Sequence, residues 1–381
     1  MNYNKLIIGL VIVILVVAGI YWFIASRQPV AEQPVKIGGI FALSGVGASI
    51  GEEEAKGARL AVDEINEKEG IQKRKIEFII EDVSIDKLKT AGSAVRKLVD
   101  IDKVVAIVGP QWDEPAMAII PIIDQAKVPT IGADNTDGVE AEIASDYFFS
   151  VWYDNRVGVR ELLRFAQKKG WKKAAVIRPL NAGFWKFVSD EFVKSAPNFG
   201  ISIIEDIDLG NPLLTDFRTP ITKVKAKSPD ALFVVMADPS ECIFMKQAKE
   251  LGFNKPILAT ESAGNNASLN TCPNFLENLI FSTPRQTAKY NEFEKKFQAK
   301  YDRKPLFPTA VTAYDAVMIL AEALKKTDLD GGVKLQQELV KTSYAGASLD
   351  TIIFNEKGFM VTPEEVFETR TVRSGQFVKT E

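Results

Sequence analysis

The sequence predicts an α/β protein built from two doubly wound lobes and preceded by one N-terminal transmembrane helix. Short apolar runs alternate with amphipathic helical segments with little interruption, and this alternation occurs twice along the chain. Apolar strands that alternate with helices are typical of parallel sheets covered on both faces. Further elements remain near the end of the chain, which indicates that the chain crosses between the lobes more than once.

The first lobe is predicted from seven alternating elements. Its strands are Lys36–Phe41, Ile76–Glu81, Val104–Val108 and Val128–Ile131. Its helices are Glu52–Lys68, Lys87–Val99 and Pro115–Ala126. In the first helix, apolar side chains from Ala55 to Ile65 fall along one face. Residues 52–54 are three successive glutamates, which we expect to occupy the first helical turn, where the helix dipole favours negative charge.

The second lobe repeats this pattern. Its predicted strands are Ala174–Ile177, Ile201–Glu205, Ala231–Met236 and Pro256–Ala259. Its predicted helices are Val157–Lys169, Phe184–Ala196, Phe217–Lys227 and Ser240–Leu251. The late elements are helices Tyr290–Tyr301 and Thr309–Lys325, followed by extended segments at Thr351–Phe354 and Thr369–Val378.

The N-terminal segment Leu6–Ser26 carries no charged residue. A helix of this length rises about 30 Å, enough to cross the hydrocarbon core of a membrane. The apolar run is longer than the roughly 7–15 residues typical of a cleavable signal peptide. Residues 1–27 therefore predict an uncleaved anchor, with cleavage near Ala25 as the alternative. Residues 28–35 would be a linker, and the folded part would lie outside the cytoplasm.

The composition excludes several classes of chemistry. The 381 residues include no histidine and two cysteines, and the formal net charge is −3. Serine–histidine–aspartate triads, cysteine–histidine pairs and imidazole metal sites are therefore absent, and no basic surface for nucleic acid is indicated. We expect no cofactor and no metal. Cys242 and Cys272 are compatible with a disulfide and equally with two buried thiols.

A glycine-rich loop follows the first strand, with glycines at positions 45, 47 and 51. The spacing G-x-G-x-x-x-G differs from the dinucleotide-binding G-x-G-x-x-G, so the third glycine is misplaced for pyrophosphate contact. One interpretation is a tight loop that needs positive φ. The interpretation we favour adds that the loop amides, with Ser44 or Ser49, face a ligand.

Four stretches in register resemble the type I periplasmic substrate-binding proteins of ABC importers, particularly the Leu/Ile/Val branch. They are FALSGVGASIGEEEAKGARLAVDEIN (Phe41–Asn66), VVAIVGPQWDEPAMAIIPIIDQAKVPTIG (Val104–Gly132), KQAKELGFNKPILATES (Lys246–Ser262), and EFEKKFQAKYDRKP with TAYDAVMILAEAL (within Glu292–Leu324). The resemblance extends from about Lys36 to the tail of the chain.

The resemblance implies two lobes joined by three crossovers, with a ligand clamped between them by hinge closure. Lobe 1 would comprise residues 36–152 and 284–342, and lobe 2 residues 153–283 and 343–381. It further implies a protein that binds an amino acid or analogue and delivers it to ABC permease subunits, and that is not an enzyme. The alternative is a ligand-sensing receptor domain that signals through a membrane partner.

The resemblance also implies ligand-binding residues in lobe 1. The loop Gln111-Trp112-Asp113 occupies the position where the family has a serine for the ligand carboxylate, and Asn135-Thr136 replaces an Ala-Thr pair. Asp113 and Asp134 would repel a ligand carboxylate, since like charges in a poorly solvated cleft are costly. A helix or turn cap is the alternative role for both aspartates. Ser44 and Ile50 of the first loop complete the predicted contacts in this lobe.

In lobe 2, Glu261 aligns with the amine-binding glutamate of the family. Asp238 aligns with a cleft aromatic, and Phe184 with the tyrosine of a Y-G-x-G turn. The acidic side chains predict a ligand with a positive charge or several hydroxyl and amide donors, with Trp112 and Phe184 as aromatic walls. The departures from the family pattern leave the ligand unnamed.

Overall fold

The computed structural model describes Val16 and residues 33–135, 145–180, 183–210, 214–236 and 240–381. The strands are β1 Val35–Phe41, β2 Ile76–Asp82, β3 Ala106–Val108, β4 Thr130–Gly132, β5 Phe148–Ser150, β6 Lys173–Arg178, β7 Ser202–Asp208, β8 Ala231–Val234, β9 Ile257–Ala259, β10 Ile280–Pro284, β11 Phe367–Arg373 and β12 Gln376–Lys379. The α-helices are α1 Ala48–Glu67, α2 Leu88–Arg96, α3 Asp113–Ala126, α4 Asn155–Lys168, α5 Gly183–Ser195, α6 Arg218–Lys227, α7 Ser240–Glu250, α8 Asn266–Thr271, α9 Ala288–Tyr301, α10 Thr309–Lys326 and α11 Gly332–Leu339.

The described strands form two sheets, as the alternating pattern predicts. The first has five strands in the order β2-β1-β3-β4-β5, and every neighbouring pair is parallel. The second has seven strands in the order β12-β11-β10-β9-β8-β6-β7. Neighbouring strands in the run β10-β9-β8-β6-β7 are parallel. Strands β11 and β12 are antiparallel and extend the sheet beyond β10. The α/β fold with two sheets is thereby confirmed.

Helix α1 approaches its neighbours so closely that two glycines are required. A Cβ on Gly57 would lie 1.8 Å from the carbonyl oxygen of Ala310 in α10. A Cβ on Gly51 would lie 2.2 Å from the carbonyl oxygen of Ala42, in the loop that follows β1. Any other residue at either position would push α1 away from the backbone it touches. The expectation that the glycine-rich loop needs positive φ is met at Gly45 and Gly47, whose φ angles are 78° and 86°.

The segment 344–361, which follows the expected boundary between residues 342 and 343, contacts the first sheet. Two backbone hydrogen bonds attach this part of the chain to β5: Ser150 N donates to Gly358 O at 2.9 Å, and Met360 N donates to Ser150 O at 3.0 Å. The segment 344–361 therefore covers the edge of the first sheet, and the chain enters the second sheet only at β11. The reason is that β5, which the sequence pattern did not indicate, needs a partner for its free edge.

A buried carboxylate holds this crossover against the first lobe. Asp315 in α10 accepts hydrogen bonds from Ala347 N at 2.9 Å and from Ser348 N at 2.7 Å. The hydroxyl of Tyr153, at the first crossover, donates to Ser348 O at 2.7 Å. Two of the segments that join the lobes are therefore linked to each other and to α10.

Cys242 and Cys272 form a disulfide with a Cα–Cα distance of 5.9 Å. The bond joins α7 to the residue that follows α8. Of the two possibilities that the sequence leaves open for these cysteines, the structure contains the disulfide.

The predicted N-terminal anchor, Leu6–Ser26, lies outside the described residues except for Val16. Among the helices that the structure describes, none combines the length and apolar character that a membrane span requires.

Replacement of Gly57 by alanine tests the close approach of α1 and α10. We expect Gly57→Ala to lower the free energy of unfolding by about 1–3 kcal/mol, because the added methyl group would displace the Ala310 carbonyl. Urea unfolding followed by circular dichroism measures the change. Gly92→Ala is the matched control, since its Cβ would meet only a side-chain end, Ile122 Cδ1, at 3.3 Å. That variant should be neutral or more stable by up to about 1 kcal/mol, and an equal loss in both variants would contradict the packing argument.

Candidate functional site

Three loops meet at the carboxyl ends of adjacent strands of the first sheet. They follow β1, β3 and β4, whose neighbouring positions in the sheet bring the loops together. Gln111 and Asp134 form a parallel bridge between the second and third of these loops. The ring of Trp112 lies on the first loop, where a Cβ on Gly47 would be 2.7 Å from Trp112 Cη2. Trp112 has a φ of 65°, an uncommon value for a bulky residue.

Two buried amides in these loops present acceptor oxygens. Gln111 Nε2 donates to Gly47 O at 3.3 Å, and Asn135 Nδ2 donates to Trp112 O at 2.6 Å. Both residues are only 1% exposed, and Gln111 Oε1 and Asn135 Oδ1 have no hydrogen-bond partner. The orientation of each amide is fixed, since a flip would place its oxygen against a carbonyl oxygen. Gln111 Oε1 lies against Gly51, whose Cβ would be 2.5 Å away, and Asn135 Oδ1 lies against Gly132, whose Cβ would be 1.7 Å away.

Two aspartates add negative charge to the same edge. Burial and the nearby Asp113 carboxylate raise the pKa of Asp134 to about 7, against a hydrogen bond from Trp112 that lowers it. Asp113 is the first residue of α3 rather than its cap, because the N-cap residue is Trp112 and makes no side-chain cap bond. The carboxylate of Asp113 lies in the first turn, where the helix dipole favours it.

Glu54 in α1 is a fully buried carboxylate near Asp134. Its residue is 0% exposed, and neither Oε1 nor Oε2 has a hydrogen-bond partner. Burial and the Asp134 carboxylate hold the pKa of Glu54 well above its usual range. The described residues supply no donor to it, and an unpaired buried carboxyl group of this kind lowers stability.

The neighbouring Glu53 shows how the same helix buries a carboxylate with partners. Arg303 Nη1 donates to Glu53 Oε2 at 3.0 Å, and Leu306 N donates to the same oxygen at 2.7 Å. Lys56 Nζ lies 3.3 Å from Glu53 Oε1. Against the effect of burial, these donors hold the pKa of Glu53 below its usual range. Glu53 therefore links α1 to the segment 303–306, whereas Glu54 has no such role.

Glu261 provides the acidic group of the second lobe. It follows β9 and is 4% exposed. Asn155 Nδ2 donates to Glu261 Oε1 at 2.6 Å, and Trp152 Nε1 donates to Asn155 Oδ1 at 3.0 Å, while Glu261 Oε2 has no partner. Burial and the charge of Asp134 raise the pKa of Glu261 to about 8. Because Asp134 belongs to the first lobe, its influence indicates that the two acidic edges face each other.

Ser44, Ile50 and Phe184 are the remaining predicted site residues that the structure describes. The Ser44 hydroxyl donates to Asp82 Oδ2 and accepts from Lys87 Nζ, so it fixes the first loop to β2. Ile50 is half-buried in the first turn of α1. Phe184 is half-buried in α5, with its ring edge-on to Trp185 at 6.1 Å between centroids.

Thr136 and Asp238 lie outside the described residues. The lobes approach each other at the start of α5, where a Cβ on Gly183 would be 3.2 Å from Glu114 Oε1 of α3. Within the described part of the chain, no group of three or more carboxylates or thiols is arranged to hold a metal ion.

Sequence reasoning missed two residues of this site, Glu54 and Asn155. The expectation that residues 52–54 form the first turn was wrong, because α1 begins at Ala48. The apolar pattern carried the signal for Glu54, since it precedes Ala58 by four residues and so continues the buried face of the helix. No motif marks Asn155, whose role depends on the fold that brings α4 to the end of β9.

Comparisons with known proteins agree with this architecture. A family model described as "Periplasmic binding protein" matches residues 34–375. The "Leu/Ile/Val-binding protein homolog 7" of Brucella suis biovar 1 is 25% identical over 332 residues, covering 80% of this chain and 79% of the relative. The "Leucine-, isoleucine-, valine-, threonine-, and alanine-binding protein" of Pseudomonas aeruginosa is 23% identical, covering 87% of this chain and 89% of the relative.

A solved structure is similar over most of the chain. The branched-chain amino acid transporter substrate-binding protein LivJ of Streptococcus pneumoniae, in complex with isoleucine, superposes with a TM-score of 0.79 and 27% identity. The match covers 91% of this chain and 100% of the other.

The raised pKa values predict how stability depends on pH. Asp134 and Glu261 bind protons in the folded state up to about pH 7 and 8, whereas the ordinary pKa values of these side chains are 3.8 and 4.5. The folded state therefore binds more protons than the unfolded state in this window, so stability falls as pH rises from about 5 to 8. Thermal unfolding of the ligand-free protein measures this slope. Glu261→Gln should make it shallower, while Glu356→Gln, at an exposed position, should leave it unchanged; stability that rises over this window would contradict the assignment.

Proposed function

Because this chain belongs to the periplasmic binding protein family, we propose that it is an extracytoplasmic solute-binding protein of an ABC importer. In this proposal it captures an amino acid or a related small polar or cationic compound between its two lobes. The relatives named above are binding proteins, which supports a role in binding rather than in catalysis.

The observation that carries the proposal is the carboxylate of Glu261. Its Oε1 is held by Asn155, which in turn is held by Trp152 at the first crossover, and its Oε2 has no partner. A buried carboxylate oriented in this way and left with one free oxygen is suited to accept a hydrogen bond from a ligand amine. The resemblance to the family assigns the same role to this position.

The segments that connect the lobes would act as the hinge about which the lobes close. The Tyr153–Ser348 bond joins two of the crossovers, and Asp315 ties the second of these to α10. A rotation of the lobes about these segments leaves both sheets intact and changes the distance between Asp134 and Glu261. Hinge closure of this kind is a common response of two-lobed proteins to a ligand.

The proposed location outside the cytoplasm has independent support from the disulfide. Disulfides form and persist in oxidising compartments and are rare in the cytoplasm. In this proposal residues 1–27 anchor the chain to the membrane or are removed by cleavage, and residues 28–35 connect them to the first lobe. The permease subunits of the importer are the proposed protein partners.

Ligand binding by the full-length protein in mild detergent tests the proposal. A thermal-shift screen with amino acids, their amides, diamines, sugars and nucleosides should yield at least one class that raises the melting temperature. A ligand at about a thousand times its dissociation constant stabilises the folded state by about 4 kcal/mol. Calorimetry then gives the dissociation constant of each ligand found.

The variant Glu261→Gln keeps the shape of the side chain and removes its charge. It should weaken binding of an amine-bearing ligand about tenfold or more, because the ammonium loses a buried charged acceptor. Glu250→Gln is the control, since this glutamate of the same lobe pairs with Arg218 at the surface. A screen in which no compound shifts the melting temperature would contradict the proposed function, and equal affinities of the two variants would contradict the role of Glu261.

A further inference from the structure

The edges of the two lobes contain five buried acceptor oxygens without a hydrogen-bond donor. The atoms are Glu54 Oε1 and Oε2, Gln111 Oε1, Asn135 Oδ1 and Glu261 Oε2. Their residues are between 0% and 4% exposed, so water does not reach them freely. Buried polar atoms in folded proteins nearly always have a partner, and a group of five without one in a single region calls for an explanation.

Each of the residues that hold these oxygens is linked to Asp134. Gln111 forms a bridge with Asp134, and Asn135 follows it in the chain. The charge of Asp134 raises the pKa of both Glu54 and Glu261, so these two carboxyl groups lie within electrostatic range of it. Glu54 belongs to α1 of the first lobe and Glu261 to the second, so the unpaired acceptors span the cleft from one lobe to the other.

The donors that do lie near these residues are already used. Both amide nitrogens are committed to backbone carbonyls, as described above. The nearest cations along α1 pair elsewhere: Lys56 and Arg303 both bind Glu53. Across the cleft, Arg156 of α4 pairs with Asp154. Within the part of the chain that the structure describes, the charges that shift the pKa values of Glu54, Asp134 and Glu261 all come from carboxyl groups.

From this arrangement we infer that Glu54 is a second ligand-binding carboxylate and that the ligand is a cation without a carboxylate, carrying nitrogen donors at both ends. One end would donate to Glu261, and the other to Glu54 and Gln111. This inference rests on the proposed function and adds the class of ligand. An ammonium or guanidinium group offers only donors, which matches the acceptor oxygens of the carboxyl groups once the cation has displaced their protons.

A zwitterionic amino acid fits this arrangement less well. Its ammonium could bind Glu261, but its carboxylate would face Asp113, Asp134 and Glu54 at short range in a poorly solvated cleft. A diamine places a positive charge at each end and leaves neither carboxylate unpaired. Glu54, which the fold itself does not use, then has a function.

The test compares matched ligands on full-length protein by isothermal titration calorimetry. Cadaverine and pentylamine have the same carbon chain and differ by one ammonium group, as do putrescine and butylamine. We expect the diamine to bind at least about tenfold more tightly than the monoamine of equal length, since the second ammonium gains a buried charged partner. Leucine serves as the zwitterionic comparison and should bind more weakly than either diamine.

Glu54→Gln should remove this preference. In that variant the ratio of monoamine to diamine dissociation constants should fall towards one, whereas Glu52→Gln should preserve it. Glu52 is the matched control because its side chain lies two residues away in the same helix, is 55% exposed and pairs with Lys56 at 3.7 Å. Melting temperatures without ligand provide a second readout, since loss of an unpaired buried carboxyl group should leave stability unchanged or raise it.

The outcomes distinguish this inference from the proposed function. Tight leucine binding that depends on Glu261 but not on Glu54 would overturn the inference and leave the proposed function intact. A diamine preference that persists in Glu54→Gln, or a large fall in the melting temperature of ligand-free Glu54→Gln, would also overturn it, because Glu54 would then be structural. Absence of binding by amines and by amino acids alike would contradict both.

Discussion

Helix α1 packs directly against the backbone of α10 on one side and of the loop after β1 on another. Much of the structure depends on this close packing. Contact with Ala310 at Gly57 and with Ala42 at Gly51 leaves no room for the helix to shift or rotate. Successive residues of a helix point about 100° apart, so this fixed rotation directs Glu53 and Glu54 to different surroundings. Glu53 meets Arg303 and stabilises the fold, and Glu54 is left among other carboxyl groups. The surroundings of Glu53 and Glu54 therefore depend on two glycines, Gly51 and Gly57.

The concentration of carboxyl groups around Asp134 is unfavourable electrostatically. Burial first, and then the repulsion between these groups, raises the pKa values of Glu54, Asp134 and Glu261 and so favours bound protons. A bound cation would supply the positive charge that these protons now provide. Specificity in such a site comes partly from rejection, because a ligand with a carboxylate meets like charges without a compensating donor. The same residues would thus attract one class of solute and exclude another.

The sequence pattern predicts most of the fold. It predicts the short elements at the edges of the sheets and the residues of the site less well. The long periodic helices, such as that at 309–325, were predicted within a few residues. Strands β5 and β10 and helices α8 and α11 were missed, because short elements carry too few residues to show a period. The segment 344–361 is held in place by hydrogen bonds to β5, which local composition does not show.

Of the predicted site residues in the described part of the chain, Gln111 and Asp134 lie in the loops that follow β3 and β4, and Glu261 follows β9. The resemblance to known motifs identified these three because each follows a strand at a recognisable position. Glu54 escaped because a glutamate in a run of three is typical of a solvated helix face, and only the packing of α1 shows that this one is buried. Burial of a charged residue depends on contacts distant in sequence, which local pattern does not contain.

The order of the strands in the second sheet has a consequence for how the protein is made. Strands β11 and β12 complete the edge beside β10, yet they emerge from the ribosome after every other strand of that sheet. During synthesis the second lobe exposes the edge of β10 until residues 367–379 arrive. The first sheet, by contrast, has all its strands by residue 150 and waits only for α10 and the segment that covers β5. The second lobe can therefore complete its sheet only when nearly the whole chain has been synthesised.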